Sequence, residues 1–108
     1  MDYYLGLDLG TSGIRISLVD SEDHPCHNDS LPVIETGTGP AGHHEQSPAD
    51  WWQAVRTLLQ RVPSEFRDSL RGLAVDGTSG TVLFCDHDGH PTSPALMYHD
   101  RRATTEAE

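Results

Sequence analysis

Leu5, Leu7 and Leu9 alternate with Gly6, Asp8 and Gly10, a period of two that predicts a strand with the leucines on one face and Asp8 on the other. After Thr11-Ser12-Gly13 the alternation resumes, with Ile14, Ile16 and Leu18 set against Arg15 and Ser17 and with Asp20 closing the run. A glycine-rich link this short joins the two runs as a hairpin. Ser21 to Ser30 is polar and turn-rich, and reads as a connection. Leu31 to Thr36 reads as a third strand, placed at an edge by Pro32, and Gly37 to His44 reads as loop.

The period then changes. Ser47-Pro48 has the form of an N-cap followed by proline at the first helical position, with Asp50 in the first turn. Trp51, Trp52, Val55, Leu58, Leu59 and Val62 recur at three-and-four spacing, so one helical face packs on the sheet until Pro63 stops the run. Ser64 to Leu70 is a connector with room for one helical turn. Leu73 to Val75 and Thr81 to Cys85 read as two further strands, Asp88-Gly89 as the turn after the second, and Pro94 to Tyr98 as a short additional strand. Thr105 and Glu108 have capping-box spacing, which announces a helix as the sequence stops. The expectation is an α/β fold, a mixed sheet with a helix packed on it, in which residues 1–108 are the front of a longer chain.

Charge narrows the partners. Seventeen Asp plus Glu against seven arginines and no lysine give a formal net charge of -10, which disfavours nucleic acid and anionic membrane surfaces. With no lysine, this segment cannot offer a phosphate-gripping or Schiff-base lysine. No apolar run approaches a membrane span, and the first residues lack the basic start of a signal peptide, so a cytoplasmic protein is expected. Cys26 and Cys85 are too few and too isolated for a disulfide scaffold and are read as reduced thiols.

A short repeat carries the chemistry. Asp8-Leu9-Gly10-Thr11-Ser12-Gly13 and Asp76-Gly77-Thr78-Ser79-Gly80 each place an aspartate just before Gly-Thr-Ser-Gly. At a strand end such a loop turns backbone N–H groups and hydroxyls toward an anion, while the carboxylate can hold Mg²⁺ that neutralises it. The second loop offers donors and acceptors suited to a polyol or sugar. Two such loops could face one cleft. Asp100-Arg101-Arg102, after Tyr98, is an acid beside bases able to orient one another on a polar ligand. The seven histidines include His24-Pro25-Cys26-His27, His43-His44-Glu45, and His87 with His90. None has the ligand spacing of a zinc motif, so structural zinc is not expected. Aspartic-protease chemistry is disfavoured as well, because there the hydroxyl residue follows the aspartate at once, whereas Leu9-Gly10 or Gly77 intervenes here.

Four segments in order resemble the opening of an FGGY-family carbohydrate kinase. They are Tyr4 to Gly13, Glu45-Gln46-Ser47-Pro48-Ala49-Asp50-Trp51-Trp52, Val75 to Thr81, and Tyr98-His99-Asp100-Arg101-Arg102. The first is shared with the wider actin, Hsp70 and sugar-kinase fold, whereas the four together are specific to the family. The resemblance implies a partial ribonuclease-H-like N-terminal lobe and an ATP- and Mg²⁺-dependent phosphotransferase acting on a small sugar. By that likeness Asp8 helps place Mg²⁺ and ATP, with Gly10, Thr11, Ser12 and Gly13 as the first phosphate loop. Asp76, Thr78 and Ser79 would lie on the sugar side, and Asp100 and Arg101 match the family's acid–arginine pair, with His99 beside them.

The family's catalytic base, second phosphate loop and adenosine pocket have no counterpart in these residues, so the 108-residue chain alone is expected to be inert. Asp76 to Gly80 resembles the ribulose-kinase branch more than the Gln-Met-His loop of xylulose kinases, so D-ribulose leads and D-xylulose follows. Self-association as a homodimer is left open, and a non-catalytic nucleotide- or partner-binding module of the same fold is the rival reading.

Overall fold

The computed structural model describes residues 1–36 and 39–108; positions 37 and 38 of the expected Gly37–His44 loop lie outside them. Strands β1 (Tyr3–Leu9), β2 (Gly13–Asp20) and β3 (Pro25–Pro32) form an antiparallel meander, and β5 (Leu70–Gly77) returns parallel to β1, giving the order β3-β2-β1-β5. A two-stranded ribbon pairs β4 (Glu45–Gln46) with β6 (Ala95–Leu96). Helices are α1 (Pro48–Arg61), α2 (Ser64–Arg67) and α3 (Thr104–Ala107). The architecture is α/β with a mixed sheet, and among the described residues no helix is long and apolar enough to cross a membrane.

Alternation in β1 and β2 translates directly into burial. Leu5, Leu7, Ile14, Ile16 and Leu18 point to one face, where Ala54, Val55 and Leu58 of α1, with Val62 at its end, close the core. Tyr3 and Phe66 meet edge to face at 4.9 Å at one border of this layer. Helix α1 has Ser47 at its N-cap position, though without a side-chain cap bond, begins at Pro48 and ends before Pro63. It covers β2 and β3 but stops short of β5. Leu73 and Val75, in register with Leu5 and Leu7 on the same face, are therefore half exposed. Trp52 lies outside the packed face and is largely exposed, while Trp51 packs at the core margin.

Three expectations are corrected. The third strand is Pro25–Pro32, not Leu31–Thr36. Asp20 accepts hydrogen bonds from the backbone N–H groups of Glu22 and His24, and Asp23 takes a positive φ of 64°, so the chain reverses over Ser21–His24 and returns at once. As an edge strand, β3 tolerates the polar run His27 to Ser30 that concealed it. Thr81 to Cys85 forms only isolated bridges, Val82 to Leu96 and Cys85 to Pro91. The opposing Pro91 and Pro94 have no N–H for a ladder, and Phe84 and Val82 find no layer to pack on. Finally, α3 starts from Ala103 with no side-chain cap, which places Thr105 inside the helix rather than at its cap. The Asp86–Gly89 turn is present, closed by the Gly89 N–H on Asp86 O at 3.0 Å.

Candidate functional site

The sheet brings the two acid-plus-hydroxyl loops to one end. β1 and β5 are parallel neighbours with Asp8 and Asp76 in register, so both carboxylates leave the carboxyl ends of their strands on the face opposite the core. That end and face of a sheet are where α/β folds place ligands. An open cleft of about 520 Å³ lies there, with Gly6, Ser17 and Ala74 as a floor of small residues and Asp8, Arg15 and Asp76 as its polar wall. Arg15, opposite Asp8 in the hairpin register, pairs with it at 3.1 Å. The Asp8 carboxyl, by hydrogen bond and by its charge, pushes Asp76 above its ordinary value, with Arg15 partly offsetting the effect. Adjacent carboxyls of this kind repel as two anions, and a divalent cation relieves that repulsion. The donor set therefore fits a hard ion such as Mg²⁺.

The first loop is a tight turn whose glycines are needed for room. The Gly10 N–H donates to Gly13 O at 2.9 Å. A Cβ on Gly10 would stand 2.9 Å from Gly13 O, and one on Gly13 would stand 2.8 Å from Leu31 O. Thr11 is half-buried and Ser12 exposed at the tip. The second loop docks on the first strand through the Thr78 N–H to Leu9 O, 3.3 Å, with the Thr78 and Thr81 hydroxyls 3.1 Å apart and Ser79 exposed.

A buried relay connects the first loop to the Asp100 segment. Gln46 is 1% exposed; its side-chain amide donates to Thr11 O and its carbonyl accepts from Trp51 Nε1, both at 2.7 Å. Next along β4, Glu45 accepts from Arg102 at 2.7 Å. Arg102 also clasps Asp100 with two bonds of 2.9 and 2.8 Å, and Asp100 accepts the His44 N–H at 2.7 Å. The Arg102 guanidinium, first among the causes, holds the Asp100 carboxyl far below the ordinary carboxylate range, and Asp100 and Glu45 raise Arg102 in turn.

Asp8 and Asp76 thus share one cleft, and the first loop and Asp100 are tied into one network through β4. Arg101 is not the base that orients Asp100: its backbone N–H binds Gly42 O at 2.7 Å while its side chain is exposed, and Arg102 makes the ion pair. Sequence reasoning did not single out Arg15 or Gln46. Arg15 was findable from the hairpin register opposite Asp8; Gln46 stood inside the second family-like segment, but its bond to Thr11 O, 35 positions away, had no sequence signal.

Residues 3–108 match the model of the FGGY family of carbohydrate kinases, N-terminal domain. Among curated relatives, xylulose kinase of Bacillus subtilis is 30% identical over 110 residues, covering 96% of this chain and 21% of the relative. Xylulose kinase of Staphylococcus xylosus is 26% identical over 109 residues, covering 100% of this chain and 22% of the relative. Among solved structures, a xylulose kinase from Brucella ovis superposes with a TM-score of 0.88 at 30% identity, covering 97% of this chain and 22% of that one. Glycerol kinase of Plasmodium falciparum with ADP shares the fold, at a TM-score of 0.77 and 18% identity, covering 98% of this chain and 22% of that one. The chain spans about a fifth of the length of the curated relatives it matches. With the family model matched from residue 3 to residue 108, this chain belongs to the FGGY family of carbohydrate kinases.

Proposed function

We propose that residues 1–108 are the front portion of an FGGY kinase N-terminal domain. In this reading the chain supplies one wall of a cleft in which ATP, with Mg²⁺, phosphorylates a hydroxyl of a ketopentose in the cytoplasm. The observation that carries it is the paired Asp8 and Asp76 at the carboxyl ends of parallel β1 and β5, above a floor of small residues. Asp8 is the residue proposed to hold the metal, and Gly10, Thr11, Ser12 and Gly13 are proposed to wrap the phosphates. Bound Mg²⁺ would neutralise phosphate charge, for which Arg15, the cation lining this cleft, is already paired with Asp8. Asp76, Thr78 and Ser79 are proposed to face the sugar. Asp100 is assigned to the sugar side as well, held rigid by Arg102, with Arg101 free to reach outward.

Both pentuloses have support. The names of the relatives favour D-xylulose, whereas Asp76 to Gly80 favours D-ribulose by its likeness to that branch. The test is ADP release by the longer protein carrying this segment, with Mg²⁺-ATP and a panel of ketopentoses, aldoses and polyols. Turnover confined to a ketopentose is the expected result. Nucleotide binding with no sugar-stimulated ADP release would favour the non-catalytic module and refute the proposal.

A further inference from the structure

Glu35 and His44, nine residues apart, meet the distant His99 beside the Asp100 segment. Glu35 Oε2 lies 3.0 Å from His44 Nδ1, and Glu35 Oε1 lies 2.8 Å from His99 Nε2. The two imidazole centroids lie 4.1 Å apart, with the ring planes tilted by 40°. One ligand atom from each residue lies within 4.8 Å of the others. Donors around a tetrahedral ion with bonds of ~2.0–2.1 Å stand about 3.3 Å apart; Glu35 Oε1 stands 3.1 Å from His44 Nδ1 and 2.8 Å from His99 Nε2, so small side-chain shifts bring the trio to a zinc-sized site.

The frame that holds the trio does not depend on its three side chains. The Thr36 N–H donates to Glu45 O and the Met97 N–H to His44 O, both at 2.9 Å, while the His44 N–H is fixed on the Asp100 carboxylate at 2.7 Å. The segments carrying Glu35, His44 and His99 are thereby stitched side by side before any ion arrives. Glu35 is held ionised, chiefly by its hydrogen bond to His44 and then by that to His99. His99 Nδ1 is buried without a partner among the described residues, so Glu35 is the group that orients this ring. The three side chains remain about one-third exposed, which leaves a fourth coordination position open to water.

We propose that Glu35, His44 and His99 form a site for a borderline divalent transition cation, Zn²⁺ first, which clips the Asp100 segment to the chain before α1. Two imidazoles and one carboxylate with an open position suit such an ion, whereas Mg²⁺ prefers oxygen donors. The site is separate from the Asp8 and Asp76 cleft and does not depend on kinase activity.

The test is Zn²⁺ titration of the protein by calorimetry, with Co²⁺ absorption reading the coordination. One equivalent should bind saturably, raise the thermal midpoint, and give Co²⁺ the intense visible band of a tetrahedral site. Glu35→Gln and His44→Ala should each weaken binding by at least ~10-fold, about the smallest loss expected when a ligand set is damaged. His90→Ala, in the exposed Asp86, Asp88 and His90 group, should leave it unchanged. Circular dichroism checks that each variant is folded, and the near-isosteric Glu35→Gln carries the test if His44→Ala is not. Absence of saturable binding, binding indifferent to Glu35→Gln, loss with His90→Ala, or bound Co²⁺ without the tetrahedral band would overturn the assignment and leave the trio a hydrogen-bonded cluster.

Discussion

Replacing Gln46 with leucine removes one buried amide and keeps most of its volume. The structure assigns that amide two bonds of 2.7 Å, to Thr11 O and from Trp51 Nε1, on a side chain whose residue is 1% exposed. The substitution leaves a carbonyl and an indole N–H without their partner. A buried polar group stranded in this way costs about 1–3 kcal/mol. Thr11 and Trp51 are only half-buried, so water recovers part of each loss and the lower part of that range applies. The expected total for Gln46→Leu is about 2–3 kcal/mol, read from urea unfolding with an unchanged denaturant slope.

Trp51→Phe removes the indole donor, and the double-mutant cycle with Gln46→Leu should show a coupling of about 1 kcal/mol. A loss below about 0.5 kcal/mol, or a cycle that is additive within error, would refute the view that Gln46 ties the first loop to α1 and β4.

Gly13→Ala should destabilise by about 1–3 kcal/mol, because its Cβ would lie 2.8 Å from the backbone Leu31 O, whereas Gly6→Ala, with 3.9 Å to Ser17 O, should be near neutral; equal effects in thermal melts would contradict the turn geometry. Leu58→Ala, at a fully buried position of α1, should cost about 2–5 kcal/mol in urea unfolding, and a cost under about 1 kcal/mol would mean that the helix does not close the core. Asp100 has a folded pKa held far below its unfolded value by Arg102. Its contribution is therefore fully present above about pH 4 and lost as pH falls further. Stability measured from pH 6 to 2 should fall less steeply for Asp100→Asn than for the unsubstituted protein, and parallel curves would remove the ion pair from the account.

How much of this was legible in the sequence depended on what held each part together. β1, β2 and α1 were readable because one face of each is buried, so burial imprints its period on the residues. β3 was not, because its positions opposite Ile16 and Leu18 are the polar Asp29 and His27, which hide the period of its half-buried face, and the turn that starts it relies on Asp20 bonding to backbone groups. Thr81 to Cys85 showed the converse: a strand-like composition with no partner able to form a ladder. In the site, Asp8 and Asp76 stood out because each precedes a glycine-rich loop at a strand end. The bonds of Gln46 to Thr11, Arg102 to Glu45 and His99 to Glu35 join residues 35 to 64 positions apart, and no local spacing encodes them.

The central claim is that the carboxylate face at the ends of β1 and β5 is the metal-nucleotide and sugar wall of a kinase cleft. Its most direct test is pentulose-dependent ADP release by the longer protein carrying this segment, compared with the Asp8→Asn variant under saturating Mg²⁺-ATP. Loss of a charge that places the metal removes several kcal/mol of transition-state stabilisation, so the variant should be slower by about 100-fold or more while remaining folded. Pentulose turnover undiminished in Asp8→Asn would contradict the claim.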